Sequence, residues 1–92
     1  MPTFEFFGYD RAEADTLTGT VRQRLSNLPF KQDIVFVSRS EDSKVTGWDG
    51  EVQPFIRILT RSQDKASQMR GLIADLSDIE TVIIDFQKRG SN

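Results

Sequence analysis

Two stretches of the chain place an apolar residue at every third or fourth position, and each has a single apolar stripe. In the first, Ala14, Leu17, Val21, Leu25 and Leu28 predict an amphipathic helix of about 17 residues starting near Arg11. In the second, Ala66, Met69, Ile73 and Leu76 line one side of a helix over Gln63 to Leu76. A helix with one stripe buries it against one surface. Two such helices cannot cover both faces of a sheet. Strands flanking them must therefore form one sheet with both helices packed on the same face.

The punctuation agrees. Asp10 followed by Glu13 has the spacing of a capping box at the start of the first helix. Pro29 marks its end by restricting Leu28. Ser62 caps the second helix, with Asp64 in its first turn, where the dipole favours negative charge.

Four strands are expected. Thr3 to Phe7 alternates Phe4 and Phe6 with Thr3 and Glu5, the period of a half-buried strand, and Gly8 ends it. Ile34-Val35-Phe36-Val37 is a short, nearly continuous apolar run, expected to be buried on both faces or central in the sheet. Glu51 to Thr60 turns Phe55, Arg57 and Leu59 one way and Ile56 and Ile58 the other. Pro54 lies within it, which favours an edge or a bulge. Thr81 to Phe86 is the last strand, with Val82, Ile84 and Phe86 expected inward. Ser40 to Gly50 reads as a long, mobile hairpin loop, with Trp48 its one large apolar side chain. Lys88 to Asn92 reads as a solvated tail.

The order is β-α-β-β-α-β. It predicts an α/β protein of the two-layer, α+β sandwich kind. Residues 1–92 form one domain of two β-α-β units, and the sheet is four-stranded with both helices on one face. The other face still carries apolar side chains, such as Phe7, Phe55 and Ile83. A bare face of that kind finds a partner, so self-association is expected.

Composition narrows the chemistry. The chain has no cysteine and no histidine, so disulfides, thiolate catalysis, Ser-His machinery and His-ligated metals are out of reach. A general base near neutral pH must be a perturbed carboxylate, a perturbed lysine or an amino terminus. Twelve basic residues against fourteen acidic ones give a net charge of −2, which disfavours a nucleic-acid binder. No apolar run approaches the ~20 residues of a membrane span. Without the layout of a signal peptide, the expectation is a cytoplasmic protein. Glu41 and Asp42 with Asp49 and Glu51 match no EF-hand spacing, so no metal site is expected.

Two folds share this element order: the ferredoxin-like sandwich and the tautomerase fold. The third strand, Val52 to Ile58, lacks the basic-Gly-aromatic motif of RNA-recognition domains. The N-terminus points the other way. Met1-Pro2 runs straight into Thr3-Phe4-Glu5-Phe6-Phe7-Gly8. This resembles the tautomerase superfamily, whose members begin with methionine, a catalytic proline and the first core strand. The likeness is to an uncharacterised bacterial branch. It extends to Pro29 after the first helix, to Pro54-Phe55 opening the third strand and to the Gln-containing second helix.

The resemblance implies an isomerase without cofactor or metal, assembled as a homotrimer with its sites between subunits. In it Pro2 is the catalytic base, moving a proton on a small keto or enol acid. Burial and nearby cations would lower the pKa of the proline amine toward neutrality. A retained Met1 would make that nitrogen an amide without basicity. Candidate substrate-binding cations are Arg11, Arg39 and Arg57, with Lys31 and Arg61 in the wider set. Phe55 and Trp48 would supply an apolar wall. Two alternatives stay open: a non-catalytic oligomeric module of the same fold, and a ferredoxin-like domain binding a small ligand. Strand order separates the last from the others. A tautomerase-type sheet pairs the first and second strands directly; a ferredoxin-like sheet puts the third strand between the first and the other parallel strand.

Overall fold

A computed structural model describes residues 2–38 and 45–84. The strands are β1 (Thr3–Phe7), β2 (Val35–Ser38), β3 (Phe55–Thr60) and β4 (Asp78–Ile83). The helices are α1 (Arg11–Arg24) and α2 (Gln63–Ile73), and a short 3-10 turn, Lys31–Asp33, leads into β2. The sheet order is β2-β1-β3-β4. β1 pairs with β2 in parallel, β3 with β4 in parallel, and β1 with β3 antiparallel. Two β-α-β units thus lie side by side, joined through their first strands. The direct β1–β2 pairing excludes the interleaved ferredoxin-like order. Among the described residues no helix is long and apolar enough to cross a membrane.

Alternation sorts the side chains of the central strands. Phe4 and Phe6 of β1 and Ile56 and Ile58 of β3 are fully buried under the helices. Ala14, Val21 and Leu25 come down from the first unit, and Ala66, Met69 and Ile73 from α2, to form one shared core. Phe36 extends it onto β2, its ring 5.6 Å from Phe4 and 6.5 Å from Phe6.

The helix caps follow the sequence. The Glu13 amide donates to Asp10 Oδ1 at 2.8 Å and the Asp10 amide to Glu13 Oε1 at 3.3 Å, closing the capping box. The Lys65 amide donates to Ser62 Oγ at 3.2 Å. The first helix stops at Arg24, earlier than its apolar stripe predicts. Leu25 to Asn27 form a turn, and the Leu28 amide donates to the Leu25 carbonyl at 3.1 Å. Leu25 and Leu28 still reach the core from that turn.

Three strand expectations need correction. β2 is an edge strand, not a central one, and Val35 is 38% exposed. Its apolar run serves Phe36, which faces the helices. β3 is central and begins after Pro54, which therefore interrupts no ladder and makes no bulge. β4 starts three residues earlier than expected and has the opposite phase. Its register sets Ile79 beside Ile56 and Thr81 beside Ile58, while Val82 lies beside Leu59 on the face away from the helices. Ile83 consequently belongs to the helix side. Phe86 lies outside the described residues.

Between β2 and β3, residues 45–54 form a turn closed by backbone hydrogen bonds. Thr46 and Val52 form an isolated antiparallel bridge. The Gly47 amide donates to the Glu51 carbonyl at 2.9 Å, and the Gly50 amide to the Gly47 carbonyl at 3.0 Å. Gly50 takes a φ of 84° in this turn, a conformation that suits glycine. Residues 40–44 of the expected loop lie outside the described residues. At the end of β1, Gly8 has a φ of 85°, and a Cβ there would sit 3.0 Å from Pro54 Cα.

Candidate functional site

Pro2 immediately precedes β1, and its side chain is fully buried. Its carbonyl accepts from the Val35 amide at 2.9 Å. Continuing the registers by one residue sets Pro2 beside Ile34 on one side and across from Thr60 on the other. Thr60 is itself buried; its carbonyl accepts from the Ile84 amide at 2.9 Å, and its Oγ1 from the Ser62 amide at 3.2 Å. Pro2 thus sits at one end of the sheet, among Ile34, Thr60 and the first residues leading to α2. Arg61 follows Thr60 at this end and makes an interaction of its own. An apolar, buried setting of this kind is the medium that disfavours an ammonium ion.

The other candidates lie elsewhere in the subunit. Arg11 opens α1 at the opposite end of β1, a strand of five residues that spans ~17 Å. Arg39 lies outside the described residues. Trp48 stands fully exposed in the turn between β2 and β3. Phe55 and Arg57 point away from the helices. The single subunit does not bring Pro2, Arg11, Arg57, Phe55 and Trp48 together.

Arg57 has company that the sequence did not announce. Glu5 lies directly across from it on β1 and Glu80 directly beside it on β4. Arg57 Nε donates to Glu80 Oε1 at 3.1 Å, and its Nη1 is 3.9 Å from Glu5 Oε1. The rings of Phe7 and Phe55 stack 4.9 Å apart, and the guanidinium lies 4.9 Å from Phe7 and 5.7 Å from Phe55. Glu5 is only 5% exposed although it faces away from the helices. Two carboxylates already engage this one guanidinium, so within one subunit Arg57 is a poor anion receptor. The alternation of Phe4, Glu5 and Phe6 assigned Glu5 to this face; only the register of three strands reveals the cluster.

A shallow hollow of about 590 Å³ opens beside Gln53, Pro54 and the end of α2. Asp75 and Asp78 line it, and no cation does, which is the wrong sign for an acidic substrate. Among the described residues no group of three or more His, Cys, Asp or Glu is placed to hold a metal ion.

At the helix ends, Arg24 forms a bidentate pair with Asp75 at 2.8 and 3.0 Å. The hydrogen bond from Arg24 holds the Asp75 carboxyl below the usual carboxylate range. Tyr9 is buried under the start of α1, and its hydroxyl is hydrogen-bonded to Ser77. Burial pushes its phenol pKa up, the Ser77 bond opposes this, and Asp78 and Glu13 add to the rise. These groups hold the fold together and do not converge on Pro2.

No family model matches the chain, and no curated protein matches it. Among solved structures, it is similar to a protein of unknown function from Vibrio cholerae O1 biovar eltor str. N16961. The two share 20% identity at a TM-score of 0.49, over 90% of this chain and 75% of that one.

Proposed function

We propose that the protein is a cofactor-independent tautomerase of the cytoplasm, in which removal of Met1 frees the Pro2 amine to act as general base on a small keto or enol acid. The observation that supports this reading is the placement of Pro2: fully buried, pinned through its carbonyl, and immediately before the leading strand of two side-by-side β-α-β units. Burial would lower the pKa of the free amine, because the ammonium form loses hydration. In ketonisation the neutral nitrogen takes the proton of the enol oxygen and delivers it to the neighbouring carbon, leaving the ketone and the neutral amine. In the reverse direction it takes the proton from the carbon next to the carbonyl and returns it to the oxygen. Self-association, with a homotrimer as the expected state, would let a neighbouring subunit supply Arg11 or Arg39 to the substrate carboxylate. Arg61 is the cation nearest in sequence to the Pro2 end of the sheet.

The second reading is a non-catalytic oligomeric module of the same fold. It is favoured by the balance of Arg57 against Glu5 and Glu80, and by the distance of Arg11 from Pro2 along β1. Intact mass of the protein from its native host, with ketonisation rates for a phenylpyruvate-like enol, separates the two. A chain beginning at Pro2 that accelerates ketonisation supports the enzyme. A retained Met1 with no acceleration supports the module.

A further inference from the structure

A second concavity opens at the outer edge of the sheet, and one of its lining residues, Ile34, is the register neighbour of Pro2. The C-terminal half of α1, the 3-10 turn and the edge strand β2 enclose a groove of about 490 Å³. Its floor is apolar: Leu25, Ile34 and Phe36. Leu25 is anchored in the core, and the Phe36 ring is backed by Phe4 and Phe6, so the floor is rigid. Arg22 and Lys31 stand on its rim, with Gln32 beside them. The volume falls within the ~300–1,000 Å³ of small-molecule sites.

The two cations are not neutralised by any described carboxylate. Acidic residues outnumber basic ones, fourteen to twelve. Most described basic side chains are engaged: Arg24 with Asp75, Arg57 with Glu80, Arg70 with Thr81, and Lys65 over the Phe30 ring. Arg61 also has an interaction. Among the described residues, Arg22 and Lys31 pair with no carboxylate, and both line the same groove. Unneutralised cations above an apolar floor favour a ligand with an anionic head and an apolar body.

We infer that this groove binds a small amphipathic carboxylic acid, its apolar body on Leu25, Ile34 and Phe36 and its carboxylate between Arg22 and Lys31. Pro2 is not among the lining residues, so the site stands whether or not the protein is an isomerase. The carboxylate takes charge-assisted hydrogen bonds from the Arg22 guanidinium fork and the Lys31 ammonium. A neutral analogue of the same shape keeps only the apolar contact. A short acid keeps only the charge, which salt screens at this exposed rim.

The test is a titration of the full chain, Met1 retained, followed by backbone amide NMR. The probes are 4-phenylbutyrate, 4-phenylbutyramide and acetate. The expected result is saturable shifts in residues 22–36 with 4-phenylbutyrate, and affinity at least about tenfold weaker for the amide and for acetate. The double variant Arg22→Ala/Lys31→Ala should keep the wild-type amide dispersion and lose about tenfold or more in affinity for 4-phenylbutyrate. Both side chains are exposed, so the variant folds. The inference is overturned if acetate or the amide binds as tightly as 4-phenylbutyrate, or if the double variant binds unchanged. Shifts confined to Thr60, Arg61 and other residues outside the groove lining overturn it as well. Because Met1 blocks the Pro2 amine, failure here leaves the catalytic reading standing, and success does not depend on it.

Discussion

The amide of Val35 donates to the carbonyl of Pro2 at 2.9 Å, tying the residue that leads into β1 to the first residue of the edge strand. The bond fixes Pro2 from its carbonyl side while its ring is buried. Replacing Val35 with proline removes the only donor at that position. Val35→Pro should cost roughly 1–3 kcal/mol in chemical unfolding. On the catalytic reading it should also slow ketonisation more than it lowers substrate affinity. A loss of affinity with an unchanged maximal rate would contradict the positioning role.

The Glu5–Arg57–Glu80 cluster predicts non-additive stability. Arg57→Ala leaves the buried Glu5 beside one neutralising group fewer, and should cost about 1–2 kcal/mol. Adding Glu5→Gln should recover part of that loss, because the desolvated charge is gone. Urea midpoints of the two single variants and the double measure the coupling. Strict additivity would mean that the 3.9 Å approach of Arg57 to Glu5 carries no energy.

Tyr9 predicts an alkaline limit. It is the one tyrosine in the chain, and its folded pKa is raised above the ordinary value of 10.0, first by burial. The folded state therefore holds the phenol proton more tightly than the unfolded state does. The resulting stabilisation is fully present below pH 10 and is lost as pH rises toward the folded pKa. Tyr9→Phe should be less stable near neutrality, because the Ser77 bond is lost, and should show a shallower decline above about pH 10. Equal alkaline slopes for the two proteins, read from urea midpoints, would count against the burial of the phenol.

The capping box supplies a local check. Asp10→Ala removes the acceptor for the Glu13 amide and should destabilise the chain by ~1 kcal/mol, seen as a lower thermal midpoint. Trp48→Ala, by contrast, should change the stability of the single chain by no more than ~0.5 kcal/mol, since the indole is fully exposed. If Trp48 anchors a subunit contact, the same variant shifts sedimentation toward the 10.5 kDa species. A stable monomer in the wild type at micromolar concentration would remove that role.

The parts of the fold written in local patterns were legible. Phe4 and Phe6 alternate with polar neighbours, and Asp10 with Glu13 forms the box their spacing announces. The phase of β4 was not legible, because Ile79, Val82, Ile83 and Ile84 offer apolar side chains to either face. Only the pairing of Ile56 with Ile79 selects one. The edge position of β2 was hidden for a related reason: an apolar run such as Ile34 to Val37 fits a central strand and an edge strand alike. Pro2 could be placed at the head of a core strand from sequence alone. The Glu5–Arg57–Glu80 cluster joins residues from three strands, and the Arg22–Lys31 groove joins a helix to a turn. Neither has a signature in any single segment.

The central claim is that the Pro2 nitrogen is a working base, and its protonation equilibrium tests that most directly. In protein processed to begin at Pro2 and labelled with 15N-proline, the nitrogen shift is followed against pH alongside the ketonisation rate. The account predicts a pKa well below that of a free secondary amine, with the rate rising through that same pKa as pH increases. Pro2→Ala should retain the fold and lose about 10²-fold or more of the rate. An amine that titrates at its ordinary value, or a rate that ignores its titration, would contradict the account.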